Sequence, residues 1–351
     1  MKPTPSLRLT LVFSLLAGCG DALPASLDAS PLDAGRADTG PPPPDDAFPL
    51  ELAFTDPPLS VPAGVRFAAD VAYDTHPETA FDVFLPEASA PTALVIFIHG
   101  GGFTGGDKAV AYRDRTADIR AVLQSGAAFA TLNYRLLDPV DAEGVLKPLG
   151  DSRRALQFLR YHRAALNLDP ARVVAYGGSA GAGTALWLGA HPDMADPSST
   201  DPVARESTRL RAVAILGSQS TYDVLDWPEV VFGEYGLSVD EMAAITGEQR
   251  ILSFYGVGAW DDLESDATRA YRAEVDMLEL LDGSDAPVWI GSSGRAVRPE
   301  DTGVLFHHPN HGNAVRLRCQ AVGLEEVSTL PALGIASDED MLSFFARQLR
   351  D

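Results

Sequence analysis

Cysteine is nearly absent from this sequence of 351 residues, which contains only Cys19 and Cys319. Cys19 stands in an N-terminal stretch with a different expected role, described below, which leaves Cys319 without a partner. A framework of disulfide bonds is therefore excluded as the support of the fold. The chain has to be held together by a buried apolar core, and about 300 residues are enough for one large domain.

Positive charge is also scarce. Lysine and arginine together number 27 against 49 aspartates and glutamates, giving a formal net charge of −22. Nucleic acids and anionic lipid headgroups would be repelled by such a surface, so we expect neither as a ligand. The acidic residues are spread along the chain, a pattern that indicates solubility rather than a specific binding patch.

The apolar run near the N-terminus is too short to cross a bilayer. It covers residues 9–17, about nine residues where a spanning helix needs roughly 20. Lys2 and Arg8 precede it and small residues follow it, which is typical of an export signal. We therefore expect residues 1–18 to be a signal peptide.

The residues Leu16-Ala17-Gly18-Cys19 further resemble the lipobox of bacterial lipoproteins. The resemblance implies cleavage before Cys19, acylation of Cys19 and anchoring of the exported protein to a membrane of the cell envelope. Because Gly20 is not an aspartate, it also implies the outer membrane. The alternative is an ordinary secretory signal that contains a chance cysteine.

Large apolar residues are almost missing from residues 19–50, which are rich in proline, aspartate and alanine. Such a segment cannot bury enough surface to offset its ordering entropy, so we predict a disordered tether. The predicted domain is then 51–351.

Within 51–351, short apolar runs alternate with helical patterns. The predicted strands are 93–99, 127–134, 171–177, 211–218, 286–292 and 325–330. The predicted helices are 112–125, 151–166, 180–190, 303–322 and 338–350. This alternation predicts an α/β fold with a mostly parallel, doubly wound sheet. An antiparallel pair is expected ahead of it, and the aromatic-rich segment at about 221–285 is expected to form an inserted cap.

Residues 173–186, "VVAYGGSAGAGTAL", place Ser179 in a G-x-S-x-G motif between a predicted strand and a predicted helix. In that context the motif is typical of a tight turn that exposes a nucleophilic serine at the sheet edge. The N–H of Ala180 would stand at the helix start, where it could stabilise developing negative charge. Glycine-rich turns are common, so this motif alone is weak.

A second glycine-rich stretch, "HGGGF" at residues 99–103, follows the first predicted strand of the parallel sheet. Consecutive glycines let backbone N–H groups converge on one point, which is what an oxyanion hole requires. The alternatives are a flexible turn or a phosphate loop, and the latter is disfavoured because no G-K-S/T follows.

Together these stretches resemble the α/β-hydrolase serine esterases and lipases of the HGGG type, near carboxylesterases and hormone-sensitive-lipase-like enzymes. The likeness is carried by "HGGGF", "LNYRL", "GDSRRALQFLR" and "LDPARVVAYGGSAGAG", within about 65–190. It implies that Ser179 is the nucleophile and that Gly101, Gly102 and Ala180 donate to the oxyanion. It implies hydrolysis of a small-molecule carboxylic ester without a cofactor.

One element of that pattern is missing. Such enzymes carry the catalytic base, a histidine, after the last strand, but no histidine follows His311 here. The preceding loop and helix contain His307, His308 and His311. Because loops after parallel strands open on the same sheet edge, we expect His308 or His311 to supply the base. The resemblance makes Asp301 the default orienting acid, with Glu300 beside it. Asp338 or Asp340, from the loop after the last predicted strand, are the alternatives.

Other interpretations of these histidines stay open. His307 and His311 are four residues apart and could bind a metal, or all three could be helix caps and loop hydrogen-bonding groups. In that last case the chain would be a hydrolase-derived binding protein without catalysis. The two hypotheses separate on geometry: an enzyme needs a histidine ring within about 3.5 Å of the Ser179 hydroxyl.

Overall fold

A computed structural model describes residues 48–350 of the chain. The expected signal peptide, the expected lipidation site at Cys19 and nearly all of the expected tether therefore lie outside the described residues. Cys319, the other cysteine, is buried and free.

Long apolar runs form a central sheet, whose strands among the described residues run in the order β1-β2-β3-β5-β4-β6-β7-β8-β9. The strands are β1 Phe54–Thr55, β2 Val65–Ala72, β3 Ala80–Pro86, β4 Thr92–Ile98, β5 Ala128–Leu132, β6 Leu168–Gly178, β7 Ala212–Leu216, β8 Val288–Gly291 and β9 Glu326–Thr329. The pairs from β5 through β9 are parallel, and β1, β2 and β3 are antiparallel to their neighbours. The predicted α/β fold with an antiparallel leading edge is confirmed.

Helices follow β4 and each later strand. They are α1 Val110–Asp114, α2 Thr116–Gln124, α3 Leu146–Tyr161, α4 Arg163–Leu166, α5 Ala180–Ala190, α6 Trp227–Val230, α7 Val239–Thr246, α8 Glu248–Tyr255, α9 Asp266–Glu274, α10 Met277–Leu280, α11 Thr302–His307, α12 Pro309–Val322 and α13 Met341–Gln348. Short 3₁₀ turns lie at Val203–Arg205, Gly233–Tyr235, Trp260–Glu264 and Pro331–Leu333. No helix within 48–350 is long and apolar enough to cross a membrane.

The sheet is covered by helices on both faces, which is why most of its strands are apolar on both sides. One buried cluster joins the sheet to α3, α5 and α12, and a second joins it to α1, α2 and α13. Strands β4 and β5 are buried along their whole length. The loops after the parallel strands consequently meet at one edge, above a rigid platform.

One prediction at this edge was wrong in detail. We predicted one helix over 303–322, but the chain forms α11 and α12 with a break at His308. Pro309 has no N–H and a fixed φ, so it starts a helix and does not continue one. This break sets the direction of each histidine side chain.

Between β7 and β8 the chain forms helices α6 to α10, of which α6 to α9 pack around a third apolar cluster. The cluster contains Trp227, Phe232 and Tyr255 and includes Leu305 from α11. Most aromatic residues of this segment form its own core. Trp227 belongs to that core and also lines the pocket above Ser179.

Candidate active site

Ser179 stands on the turn between β6 and α5. Its backbone is in the left-handed region, with φ 55° and ψ −124°, which is unusual for a residue other than glycine. The Ser179 N–H donates to the Leu216 carbonyl at 3.0 Å, which ties the turn to β7. The position two residues after Ser179 needs glycine, because a Cβ at Gly181 would overlap the carbonyl of Ile98. The turn geometry lifts the Ser179 side chain to the functional edge of the sheet.

The glycine loop after β4 packs directly against this turn. A Cβ at Gly100 would lie 2.5 Å from the Gly178 carbonyl oxygen and 3.2 Å from the Ser179 Cβ. Gly101 and Gly102 have φ values of 119° and 60°, which glycine adopts without strain. Their N–H groups have no hydrogen-bond partner within the described part of the chain. Free donors thus lie beside Ser179, next to the N–H of Ala180 at the start of α5.

His99 and Tyr134 hold this glycine loop in place. The two rings stack at 4.4 Å between centroids, and the Tyr134 hydroxyl donates to the His99 carbonyl at 2.8 Å. His99 Nδ1 lies 2.7 Å from the Gly100 carbonyl oxygen, to which it donates. Burial lowers the pKa of His99, which favours its neutral form. His99 therefore supports the loop and does not face the serine.

The histidine that reaches Ser179 is His307. Its Nε2 atom lies 2.8 Å from the Ser179 Oγ. Its Nδ1 atom lies 3.0 Å from the carbonyl oxygen of Gly303, four residues earlier on α11. A carbonyl oxygen can only accept, so Nδ1 carries the proton and Nε2 is free to accept the hydroxyl proton of Ser179. This is the tautomer that a general base requires.

His308 and His311, which we expected to supply the base, are bound elsewhere. The Nδ1 of His308 accepts from the Asn310 N–H at 3.1 Å, and its Nε2 lies 3.2 Å from the Tyr235 hydroxyl. Because α11 ends at His307 and His308 is extended, successive side chains leave the chain in different directions. His308 caps α12 and contacts the cap segment.

His311 is fully buried in the first turn of α12. Its Nδ1 accepts from the Ser220 N–H at 3.2 Å, and its Nε2 donates to the Leu305 carbonyl at 3.0 Å. Burial lowers its pKa to about 3, so it is neutral at ordinary pH. It fastens α12 to the loop after β7 and to α11, a structural role that the sequence pattern alone did not distinguish from a catalytic one.

Asp301, the expected orienting acid, caps α11. Its carboxylate accepts from the Val304 N–H at 2.8 Å and lies 3.6 Å from the Arg295 guanidinium. Among the described residues, no carboxylate is hydrogen-bonded to His307; the Gly303 carbonyl occupies that position. Asp301 therefore acts on His307 only through the helix that it caps.

The metal alternative finds no support in these positions, because the ring nitrogens of His307 and His311 are engaged as described above. Within residues 48–350, no group of three or more histidine, cysteine, aspartate or glutamate side chains is arranged to hold a metal ion.

A pocket opens above Ser179, and its empty space, including open solvent at the mouth, is about 620 Å³. Its lining is mostly apolar and comes from the glycine loop, the serine turn, the cap segment and α11. The lining residues are Gly102, Phe103, Ser179, Ala180, Gln219, Tyr222, Val224, Trp227, Met242, Thr246, Arg250, Ile251, Phe254, Leu305 and Phe306. A cleft of this kind with a few polar groups is typical of a small-molecule site.

A protein-family model described as BD-FAE matches residues 81–242. The match covers the strand before the glycine loop, the serine turn and the start of the cap segment, and it ends before His307. It thus includes Gly101, Gly102, Ser179 and Ala180.

Solved structures match over most of the chain at low sequence identity. A truncated carbohydrate esterase from gut microbiota has a TM-score of 0.59 and 15% identity, covering 81% of this chain and 96% of that one. Esterase B from Lactobacillus rhamnosis, in an inhibited crystal structure, has a TM-score of 0.54 and 20% identity, with 77% and 76% covered. An acetyl ester-xyloside bifunctional hydrolase from Caldicellulosiruptor lactoaceticus has a TM-score of 0.50 and 18% identity, covering 76% of this chain and 82% of that one. The chain has the α/β-hydrolase fold.

Proposed function

We propose that this protein is a serine hydrolase of carboxylic esters. The observation that carries the proposal is the 2.8 Å contact between Ser179 Oγ and His307 Nε2, in an apolar pocket beside unpaired backbone N–H groups. A serine hydroxyl becomes a useful nucleophile when a positioned base takes its proton. The similarity to solved esterases, one of them described as acting on carbohydrate, supports the same reaction class.

In the first half of the reaction, Ser179 Oγ attacks the acyl carbon of the ester and its proton passes to His307 Nε2. The carbonyl oxygen of the substrate becomes an oxyanion. The N–H groups of Gly101, Gly102 and Ala180 are the donors proposed to hold it. Each donor of this kind contributes about 3–4 kcal/mol to transition-state stabilisation in measured cases.

Collapse of this intermediate breaks the bond to the alcohol. His307, now an imidazolium, gives its Nε2 proton to the departing oxygen, which leaves an acyl group on Ser179. A water molecule then attacks the acyl-enzyme while His307 takes its proton. When the bond between the acyl group and Ser179 Oγ breaks, His307 returns this proton to Oγ and the acid departs. Throughout, the Gly303 carbonyl accepts from Nδ1–H and keeps the ring in one tautomer.

The rival hypothesis is a binding protein that keeps the serine turn for packing alone. Packing does not require a histidine ring on the serine hydroxyl, nor free N–H groups next to it. The observed contact lies inside the 3.5 Å expected of an enzyme, and so it favours hydrolysis.

The proposal is tested by hydrolysis of 4-nitrophenyl butyrate with the full chain, its Ser179→Ala variant and the exposed control Ser60→Ala. We expect Ser179→Ala to lose at least about 10³-fold in kcat/KM and Ser60→Ala to match the wild type. Equal turnover by wild type and Ser179→Ala, on this ester and on tributyrin, would instead support the binding protein.

We further propose that the chain is exported and acylated at Cys19, with the bacterial outer membrane as its location. This rests on the lipobox-like residues alone, which precede the described part of the chain. Feeding cells a labelled fatty acid should label the wild-type protein and leave Cys19→Ser unlabelled. An unlabelled wild type would reduce the segment to an ordinary secretory signal.

A further inference from the structure

Arg250, on α8 of the cap segment, is the single positively charged residue among those that line the pocket of Ser179. The remaining lining is apolar or carries neutral hydroxyl, amide and backbone groups. An arginine at this place is unexpected, because the mechanism proposed above requires no cation from the cap.

The guanidinium group of Arg250 is held between the glycine loop and α11. A Cβ at Gly102 would overlap its Nη2 atom, so it lies directly against one of the proposed oxyanion donors. It also stands over the Phe306 ring, 4.8 Å from the ring centroid, and Phe306 is the neighbour of His307. Stacking of this kind fixes the orientation of a guanidinium while leaving its N–H groups free.

Among residues 48–350, no carboxylate lies close enough to Arg250 to form an ion pair with it. Arg250 forms no ion pair within 4.0 Å among residues 48–350, and its side chain makes no hydrogen bond there. Arg272, on the same cap segment, shows the contrast: it lies 2.8 Å from the Asp223 carboxylate. Burial lowers the pKa of Arg250. Burial also acts to lower the pKa of Arg272, but there the Asp223 and Asp226 carboxylates outweigh it and raise the pKa. Arg250 is solvent-exposed over part of its surface and lines the pocket as a cation that has no counter-ion among the described residues.

We propose that Arg250 binds a carboxylate of the substrate, so that the natural ester carries an anionic group on its acyl or alcohol part. The inference rests on the proposed function, since it assigns a specificity to the pocket of Ser179. A guanidinium offers two parallel N–H donors that match a carboxylate. In a chain with a net charge of −22, an anionic substrate is repelled overall and needs such a local cation to be held.

The catalytic test uses two pairs of esters that differ only in charge. One pair is monomethyl adipate and methyl hexanoate, and the other is 6-(butyryloxy)hexanoate and hexyl butyrate. For at least one pair, we expect Arg250→Gln to lower kcat/KM for the charged ester about five- to tenfold, mainly through KM, and to leave the neutral ester within twofold. Arg250→Lys should retain part of the preference, and the exposed Arg153→Gln, outside the pocket, should match the wild type. Added salt should weaken the wild-type preference.

A general electrostatic role at the oxyanion would give a different result. Arg250→Gln would then lower kcat for charged and neutral esters alike, and the proposed carboxylate site would be overturned. Equal kcat/KM values in wild type and variant for both pairs would overturn it too.

Binding separates this proposal from the proposed function. In the Ser179→Ala background, calorimetric titration with the charged esters should show affinity that falls at least fivefold on adding Arg250→Gln and stays unchanged on adding Arg153→Gln. If the wild type hydrolyses no ester while this difference in affinity is present, the anion site stands and the hydrolase proposal fails. Equal affinities in the two double variants would overturn the anion site whatever the activity.

Discussion

The side chain of His307 is held by a main-chain carbonyl where a carboxylate would be more familiar. A carboxylate in that position fixes the tautomer and also stabilises the imidazolium that forms during the reaction. The Gly303 carbonyl oxygen, 3.0 Å from His307 Nδ1, fixes the tautomer, but it offers only a dipole to stabilise the imidazolium. The last position of α11 is a favourable place for a cationic ring, since helix carbonyls converge there.

This arrangement gives Asp301 a structural role with a definite consequence. Asp301→Asn should keep kcat on 4-nitrophenyl butyrate within threefold of the wild type, because asparagine caps helices about as well as aspartate. Asp301→Ala should remove the cap, lower the free energy of unfolding by about 1 kcal/mol and loosen the helix that carries His307.

Steady-state kinetics and urea unfolding of the two variants check this expectation. A loss of 100-fold or more in Asp301→Asn, with unchanged stability, would identify Asp301 as the orienting acid and contradict the role of the Gly303 carbonyl.

At the scale of elements, the site depends on how closely α5 approaches β4. A Cβ at Gly181 would overlap the Ile98 carbonyl, so Gly181→Ala forces the helix and the strand apart. Overpacking of this kind costs about 1–3 kcal/mol. Urea unfolding should show a loss of that size, and activity should fall as Ser179 is displaced.

Gly150 provides the matched control for this substitution, since it lies within α3 and a Cβ there would meet nothing within 4 Å. Gly150→Ala should leave stability unchanged or raise it by up to about 1 kcal/mol through helix propensity. A Gly181→Ala variant as stable as Gly150→Ala would show that the close approach is not required.

The elements could largely be predicted from sequence, because buried parallel strands are long apolar runs and Ser179 stands in a motif tied to a strand–turn–helix context. Which histidine contacts Ser179 could not be predicted. His307, His308 and His311 are the same residue type within five positions. Only the break between the helices before Pro309 decides which of their rings faces Ser179. The sequence signal for a helix beginning at Thr302 was the preceding Asp301, since aspartate is a preferred helix cap. Arg250 lies in no motif, and its contacts with Gly102 and Phe306 are far apart in sequence.

For the whole molecule, the buried neutral histidines make stability depend on pH. The pKa of His311 is about 3 in the folded protein and about 6.5 in the unfolded chain. Below pH 6.5 the unfolded state therefore binds a proton that the folded state does not, and stability falls as pH falls. His311 alone contributes about 1.4 kcal/mol of loss per pH unit.

Urea unfolding between pH 7.5 and 5.0 measures this slope. His311→Gln should flatten it by about that amount, and the exposed His76→Gln should leave it unchanged. A wild-type stability that is constant, or that rises on acidification to pH 5.0, would contradict the assignment of His311 as a buried neutral residue.

The most direct test of the whole account compares two adjacent histidines. The full-length variants His307→Gln and His308→Asn should be assayed on 4-nitrophenyl butyrate beside Ser179→Ala, each with its fold verified by circular dichroism. We predict that His307→Gln falls at least about 10³-fold in kcat, close to Ser179→Ala, while His308→Asn keeps its helix cap and stays within fivefold of the wild type. Retained turnover in His307→Gln, or an equal loss in His308→Asn, would contradict the assignment of His307 as the base of Ser179.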